Sequence, residues 1–91
     1  MIVGFRHKGL KELFKTGRSK RVRPDQADRV LRRLDALDRA KSLLDLNVPG
    51  FNFHPLRGKP RRYAVAVNGP WRITFGWDGH NVTEADLEQY H

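Results

Sequence analysis

The alternation of apolar and polar positions divides the chain into a helical first half and a strand-rich second half. Residues 2–6 are short and apolar enough for a strand. In residues 8–16, Leu10, Leu13 and Phe14 recur at helical spacing, with Gly17 as the stop. Residues 16–23 are polar and basic and predict a loop. Pro24 suits the first turn of a second helix, where its missing N–H costs nothing. That helix is expected from Pro24 to Leu46, with Ala27, Val30, Leu31, Leu34, Leu37 and Leu44 on one apolar stripe. Asp25/Arg29, Asp28/Arg32 and Asp35/Arg39 stand four apart with the acid first, which suits a solvated opposite face. Asn47-Val48-Pro49-Gly50 ends it.

Beyond residue 50 the period changes to two. Phe51-Asn52-Phe53-His54 alternates, and Tyr63, Val65 and Val67 share a face. Asn68-Gly69 signals a hairpin, although Pro70 follows it. Trp71, Ile73, Phe75 and Trp77 form a core-facing row, with Arg72 and Thr74 pointing the other way. Asp78-Gly79 is a second turn, residues 81–87 a last strand, and residues 88–91 a tail. A strand, two helices and then about four strands indicate α+β, with antiparallel pairing. At 91 residues, the expectation is one domain over 1–91.

Charge adds a partner class to this picture. Residues 1–33 carry 11 Lys+Arg and 3 Asp+Glu, whereas residues 34–91 carry 7 of each. The chain's net charge of +8 therefore resides in its first third. A second basic cluster, Arg57-Gly58-Lys59-Pro60-Arg61-Arg62, lies in the strand region. Such asymmetry favours a polyanion, and nucleic acid before an anionic membrane. There is no cysteine, which excludes disulfides, thiol catalysis and Cys-type zinc sites. The opening Met1-Ile2-Val3-Gly4-Phe5-Arg6-His7-Lys8 has charge where a signal peptide needs its apolar stretch, and no run is long enough to span a bilayer. The expected setting is soluble, cytoplasmic and away from membranes.

The candidate chemistry is histidine and arginine chemistry. Of four histidines, His7 and His80 read as surface or loop residues. No pair has metal-ligand spacing, so neither a metal nor a cofactor is expected. His54 sits among Phe51, Phe53 and Leu56 beside the Arg57–Arg62 cluster, and His91 closes the sequence. Taken singly, each suits an ordinary structural position.

Their joint pattern carries more. Phe53-His54-Pro55-Leu56-Arg57-Gly58, then Trp71-Arg72-Ile73-Thr74-Phe75, then Tyr90-His91, together with the opening Phe5-Arg6-His7-Lys8-Gly9-Leu10-Lys11, resemble the HigB group of the RelE/ParE toxin superfamily across essentially the whole chain. The resemblance implies a microbial-RNase-like fold, with two N-terminal helices packed on a twisted antiparallel sheet. It implies a toxin of a type II toxin–antitoxin system that enters the ribosomal decoding site and cuts mRNA. A HigA-like helix-turn-helix antitoxin would restrain it, and operator DNA would be met only through that complex. A gyrase-inhibiting ParE-like toxin and a non-catalytic ribosome- or RNA-binding domain are the alternatives.

Cleavage through the 2′-OH without metal needs a base, an acid and cations for the developing charge. The resemblance casts His54 and His91 as the proton-transfer pair, Arg57 and Arg72 as phosphate ligands, and Tyr90 as the substrate-positioning group. Relatives often have lysine where Arg57 stands and an acid where Gln89 stands. Arginine is a poor proton donor, so Arg57 is electrostatic, and Gln89, which cannot titrate, is a secondary candidate. Lys20, Arg21 and Arg23, with Lys59, Arg61 and Arg62, are the expected RNA-gripping residues, acting non-specifically and in a salt-dependent way.

Overall fold

A computed structural model describes residues 1–89; Tyr90 and His91 lie outside the described residues. Helix α1 spans Lys8–Thr16 and α2 spans Pro24–Arg39. A short 3-10 turn covers Leu43–Leu46. Four strands follow: β1 (His54–Pro55), β2 (Tyr63–Asn68), β3 (Trp71–Trp77) and β4 (Val82–Gln89). They pair in sequence order, β1-β2-β3-β4, and every pair is antiparallel. The fold is α+β, as the switch in period from helical to alternating implies.

Both helices lie against one face of the sheet. Leu10 and Leu13 of α1 and Val30, Leu34 and Leu37 of α2 are buried with Val65, Ile73, Phe75, Val82, Ala85 and Leu87. The expected row on β3 is present, but only Ile73 and Phe75 are fully buried, while Trp71 and Trp77 are half-buried at its margins. No helix among the described residues is long and apolar enough to cross a membrane.

Local chemistry sets the ends of α1. Gly17 adopts φ +82° and its N–H reaches Leu13 O at 2.8 Å, a left-handed cap suited to glycine. At the other end His7 Nδ1 accepts from the Leu10 N–H at 3.1 Å. His7, expected at the surface or in a loop, stands just before the helix as its N-cap, with imidazole nitrogen in the role a Ser or Asp oxygen usually fills.

Helix α2 is shorter than its apolar stripe suggested. It stops at Arg39, and the chain re-forms as the 3-10 turn. Ser42 and Asp45 make a capping box: Asp45 Oδ2 accepts from the Lys41 and Ser42 N–H groups at 2.9 and 3.1 Å. These side-chain bonds compete with the helix and end it. The change of phase leaves Leu44, expected on the stripe, 81% exposed, and buries Leu46 instead. The expected four-apart ion pairs also change. Asp25 binds Arg23 at 2.7 Å, while Arg29 reaches across to Val67 O at 3.5 Å.

Strand β1 is two residues long, so β2 has an open edge at Ala66 and Val67. That edge is covered. The Ala66 N–H donates to Phe51 O at 2.6 Å, and Arg33 Nε donates to Ala66 O at 2.7 Å. The Arg33 guanidinium also lies 4.9 Å from the Phe51 ring centroid. Burial first, and then Arg29 and Arg32, lower its pKa. Gln26, buried in α2, ties the helix to the β2–β3 turn through Asn68 at 3.1 Å.

The expected first strand is reduced to two isolated parallel bridges, Ile2↔Val82 and Phe5↔Ala85. The reason lies in β4, which carries one extra residue between Thr83↔Gly76 and Asp86↔Thr74. Glu84 sits in this bulge at φ +46°, a conformation that needs outside support in a non-glycine residue. Its side chain pairs with Arg6 at 3.4 Å and its carbonyl accepts from Arg62 at 2.8 Å. The bulge breaks the ladder to the N-terminal segment and turns Val82, Ala85 and Leu87 all towards the core. Strand β4 also runs on through Gln89, two residues past its expected end.

Candidate active site

The sheet face opposite the helices carries the candidate chemistry, and strand register assembles it. His54 pairs with Ala64, Ala64 with Thr74, and Thr74 with Asp86. The next row is Ala66, Arg72 and Glu88. Residues directly opposite in antiparallel strands project from the same face. His54 from β1 and Arg72 from β3, eighteen positions apart in sequence, therefore share one surface. Ala64 and Thr74 are sealed from solvent at its floor, while His54, Arg72, Asp86 and Glu88 are half-buried.

Aromatic packing fixes His54. Phe53 stacks on Tyr63 at 5.8 Å, and Tyr63 packs on Phe75 at 5.9 Å. This anchors the short strand, and alternation sends His54 the other way. His54 Nδ1 lies 2.8 Å from Asn52 O. The Asn52 backbone has φ +46°, a left-handed conformation that asparagine tolerates better than most residues. A carbonyl can only accept, so Nδ1 carries the proton in this contact. In the neutral ring Nε2 is then left with its lone pair, the arrangement a general base needs.

Arg57 lies in the β1–β2 loop, which the Leu56 N–H closes on Arg62 O at 2.8 Å. Gly58 allows its turn at φ +113°. Arg57, Lys59 and Arg61 are all exposed on this loop. Arg62 differs from them. It is half-buried, and its Nη2 donates to Thr74 Oγ1 at 3.2 Å and Glu84 O at 2.8 Å. Thr74 in turn donates to Glu88. Burial lowers the Arg62 pKa, and so does Arg6, while Glu84, Glu88 and Asp86 oppose the shift.

The other candidates fall elsewhere. Gln89 pairs with Trp71 on the helix side of the sheet, while Glu88 is the acid that shares the face with Arg72. Tyr90 and His91 lie outside the described residues. Lys20, Arg21 and Arg23 are exposed in the α1–α2 connection. Lys20 and Arg21 line a surface groove of about 740 Å³ with Glu12, Arg18, Ser19, Val22 and Pro24. Arg21 pairs with Glu12 at 3.4 Å and Arg23 with Asp25 at 2.7 Å. Among the described residues, no three His, Asp or Glu side chains gather where they could hold a metal ion.

Alternation along β3 already sets Thr74 beside Arg72 but gives it no role, and Glu88 was not expected on this face. Counting outward from the Asp78-Gly79 turn would pair Arg72 with Leu87. The bulge at Glu84 moves the partner on by one residue, to Glu88. The polar alternation of Glu84, Asp86 and Glu88 was the available signal.

A basic α+β chain with this arrangement has a clear place among known families. Residues 3–91 match the model for HigB-like toxins, described as the RelE-like toxin of the type II toxin–antitoxin system HigB, and the chain belongs to that family. It is also 38% identical over 92 residues to endoribonuclease HigB of Proteus vulgaris, with all of both chains covered. As a type II toxin it has an antitoxin for a partner.

Proposed function

We propose that this chain is a ribosome-dependent endoribonuclease that cuts mRNA by attack of a 2′-OH on the adjacent phosphate, without a metal ion. One observation carries the reading: His54 and Arg72 lie on one sheet face, beside a loop that displays Arg57, Lys59 and Arg61. A proton acceptor and phosphate-binding cations thus stand together, as this chemistry requires. The likeness to a relative named as an endoribonuclease supports the same reading.

In the proposed reaction His54 Nε2 takes the 2′-OH proton, a role its Asn52 contact suits. The 2′-oxygen bonds to phosphorus and the bond from phosphorus to the 5′-oxygen breaks. His91 supplies the proton to that leaving oxygen. The products are a 2′,3′-cyclic phosphate and a 5′-OH end. Arg57 and Arg72 hold the phosphate oxygens as planar donors, and Tyr90 positions the substrate. Gln89, on the far side of the sheet, is given no proton to move. Lys20, Arg21, Arg23, Lys59 and Arg61 grip RNA phosphates in a salt-dependent way. The whole of residues 1–91 acts as one domain in the cytoplasm, at the ribosomal decoding site. A HigA-like helix-turn-helix antitoxin restrains it, and operator DNA is contacted only through that complex.

Programmed ribosomes provide the test. The wild type should cut message in the decoding site, and a His54→Ala, His91→Ala double variant should lose most of that activity. Each proton-transfer group supplies about 10²–10⁴-fold. Undiminished cutting by the double variant would refute the residue roles. Inhibition of gyrase supercoiling with messages left intact would refute the function.

A further inference from the structure

The face that carries His54 and Arg72 also contains a hydrogen-bonded chain for which the proposed reaction has no direct use. Thr74 is fully buried at the centre of the sheet, on the side away from the apolar core. Its hydroxyl donates to Glu88 Oε2 and accepts from Arg62 Nη2 at 3.2 Å. The same Nη2 donates to Glu84 O, in the β4 bulge, at 2.8 Å. The residue that leads into β2, the middle of β3 and both halves of β4 are thereby joined across one face. Thr74 Oγ1 uses both its donor and its acceptor capacity in the chain, which fixes its rotamer. A carboxylate held in this way loses the freedom that an exposed glutamate would have.

Glu88 is the cross-strand partner of Arg72. Directly opposed side chains in an antiparallel pair start about 5 Å apart, so a fixed carboxylate here bears on where the Arg72 guanidinium settles. Glu88 also stands two residues before Tyr90. We propose that Thr74 and Glu88, braced by Arg62, are positioning residues that hold Arg72 in the orientation in which it meets the scissile phosphate. This rests on the endoribonuclease reading above. It sets Arg62 apart from Arg57, Lys59 and Arg61: it serves the site from within, whereas they face the solvent.

Three variants test it: Thr74→Val, which keeps the volume but removes the hydroxyl; Thr74→Ser, which keeps the hydroxyl; and Glu88→Gln, which removes the charge that bears on Arg72. Each is assayed by single-turnover cleavage on programmed ribosomes over a range of toxin concentrations, with folding followed by circular dichroism. Misplacing a transition-state ligand by about 1 Å can cost on the order of 10²-fold. Thr74→Val and Glu88→Gln should therefore lower the saturated rate by roughly 10–100-fold, with the half-saturating concentration changed less than about twofold, while Thr74→Ser keeps a rate close to wild type. A purely structural role would lower the melting temperature without this split between rate and binding. Should Thr74→Val fail to fold, Glu88→Gln decides alone. A wild-type rate in Glu88→Gln overturns the proposal, and so does a faster one, which would make Glu88 only a charge that repels RNA. If the wild-type chain does not cut at all, the function reading itself has failed.

Discussion

Arg33 should be worth more to stability than any other cation on α2, and removing its head group tests how this small sheet protects its open edge. The Arg33→Met substitution keeps the apolar stem and deletes the guanidinium. Two contacts chiefly hold that group: the bond to Ala66 O at 2.7 Å and the stacking over Phe51 at 4.9 Å. A hydrogen bond from a charged group contributes about 1.5–3 kcal/mol net. A partly exposed cation–π contact adds about 0.5–1 kcal/mol. Against these stands the cost of taking the charge partly out of water, visible in the lowered Arg33 pKa. The expected net loss is about 2 kcal/mol, or roughly 10 °C in melting temperature for a domain of this size. Urea titration of Arg33→Met beside Arg32→Met provides the measurement, since Arg32 is exposed and its loss should stay within about 0.5 kcal/mol. A Phe51→Leu background should shrink the Arg33 effect by the cation–π share. If Arg33→Met stays within about 0.5 kcal/mol of wild type, the edge-capping account is wrong.

Two further outcomes follow from the fold. Leu46→Ala should cost about 2–5 kcal/mol as a fully buried leucine, while Leu44→Ala, at an exposed position, should stay within about 0.5 kcal/mol; equal losses would mean that the helix continues past Arg39. Asp45 and Asp78 have carboxyl pKa values held below the ordinary 3.8, chiefly by backbone N–H donors from Lys41 and Ser42 and from His80 and Asn81 respectively. A depressed folded pKa contributes stability that is full above the unfolded value and is lost as pH falls through the folded one. Unfolding free energy should thus lose these two contributions only below about pH 4, and Asp45→Asn with Asp78→Asn should flatten that decline in an acid titration. An unchanged acid limb would contradict the assignment.

Much of the fold could be read from the chain because its local signals agree with its tertiary contacts. The Leu10, Leu13 and Gly17 spacing delimits α1, Pro24 begins α2, and Asn68-Gly69 and Asp78-Gly79 lie at the two hairpin turns, with Gly69 and Gly79 at positive φ. Where the reading went astray, a side chain bonded to the backbone. Asp45 ends α2 early despite an unbroken leucine pattern, and His7 caps α1 in place of the usual oxygen acceptors. The bulge at Glu84 has no local sequence signal, because nothing in a glutamate announces a left-handed backbone; the supports are Arg6 and Arg62, remote in sequence. That bulge decides which β4 residues face Arg72. His54 and Arg72 could therefore be named from the chain, but their shared face, the buried Thr74 and the part played by Arg62 needed the strand register.

If the face bearing His54 and Arg72 cuts translated RNA, brief expression of the chain should leave its mark on cellular messages, and mapping of their 5′-OH ends reads it. New 5′-OH ends should cluster within translated frames and be absent when the His54→Ala, His91→Ala double variant is expressed. Intact messages, or equal cutting by the double variant, would contradict it.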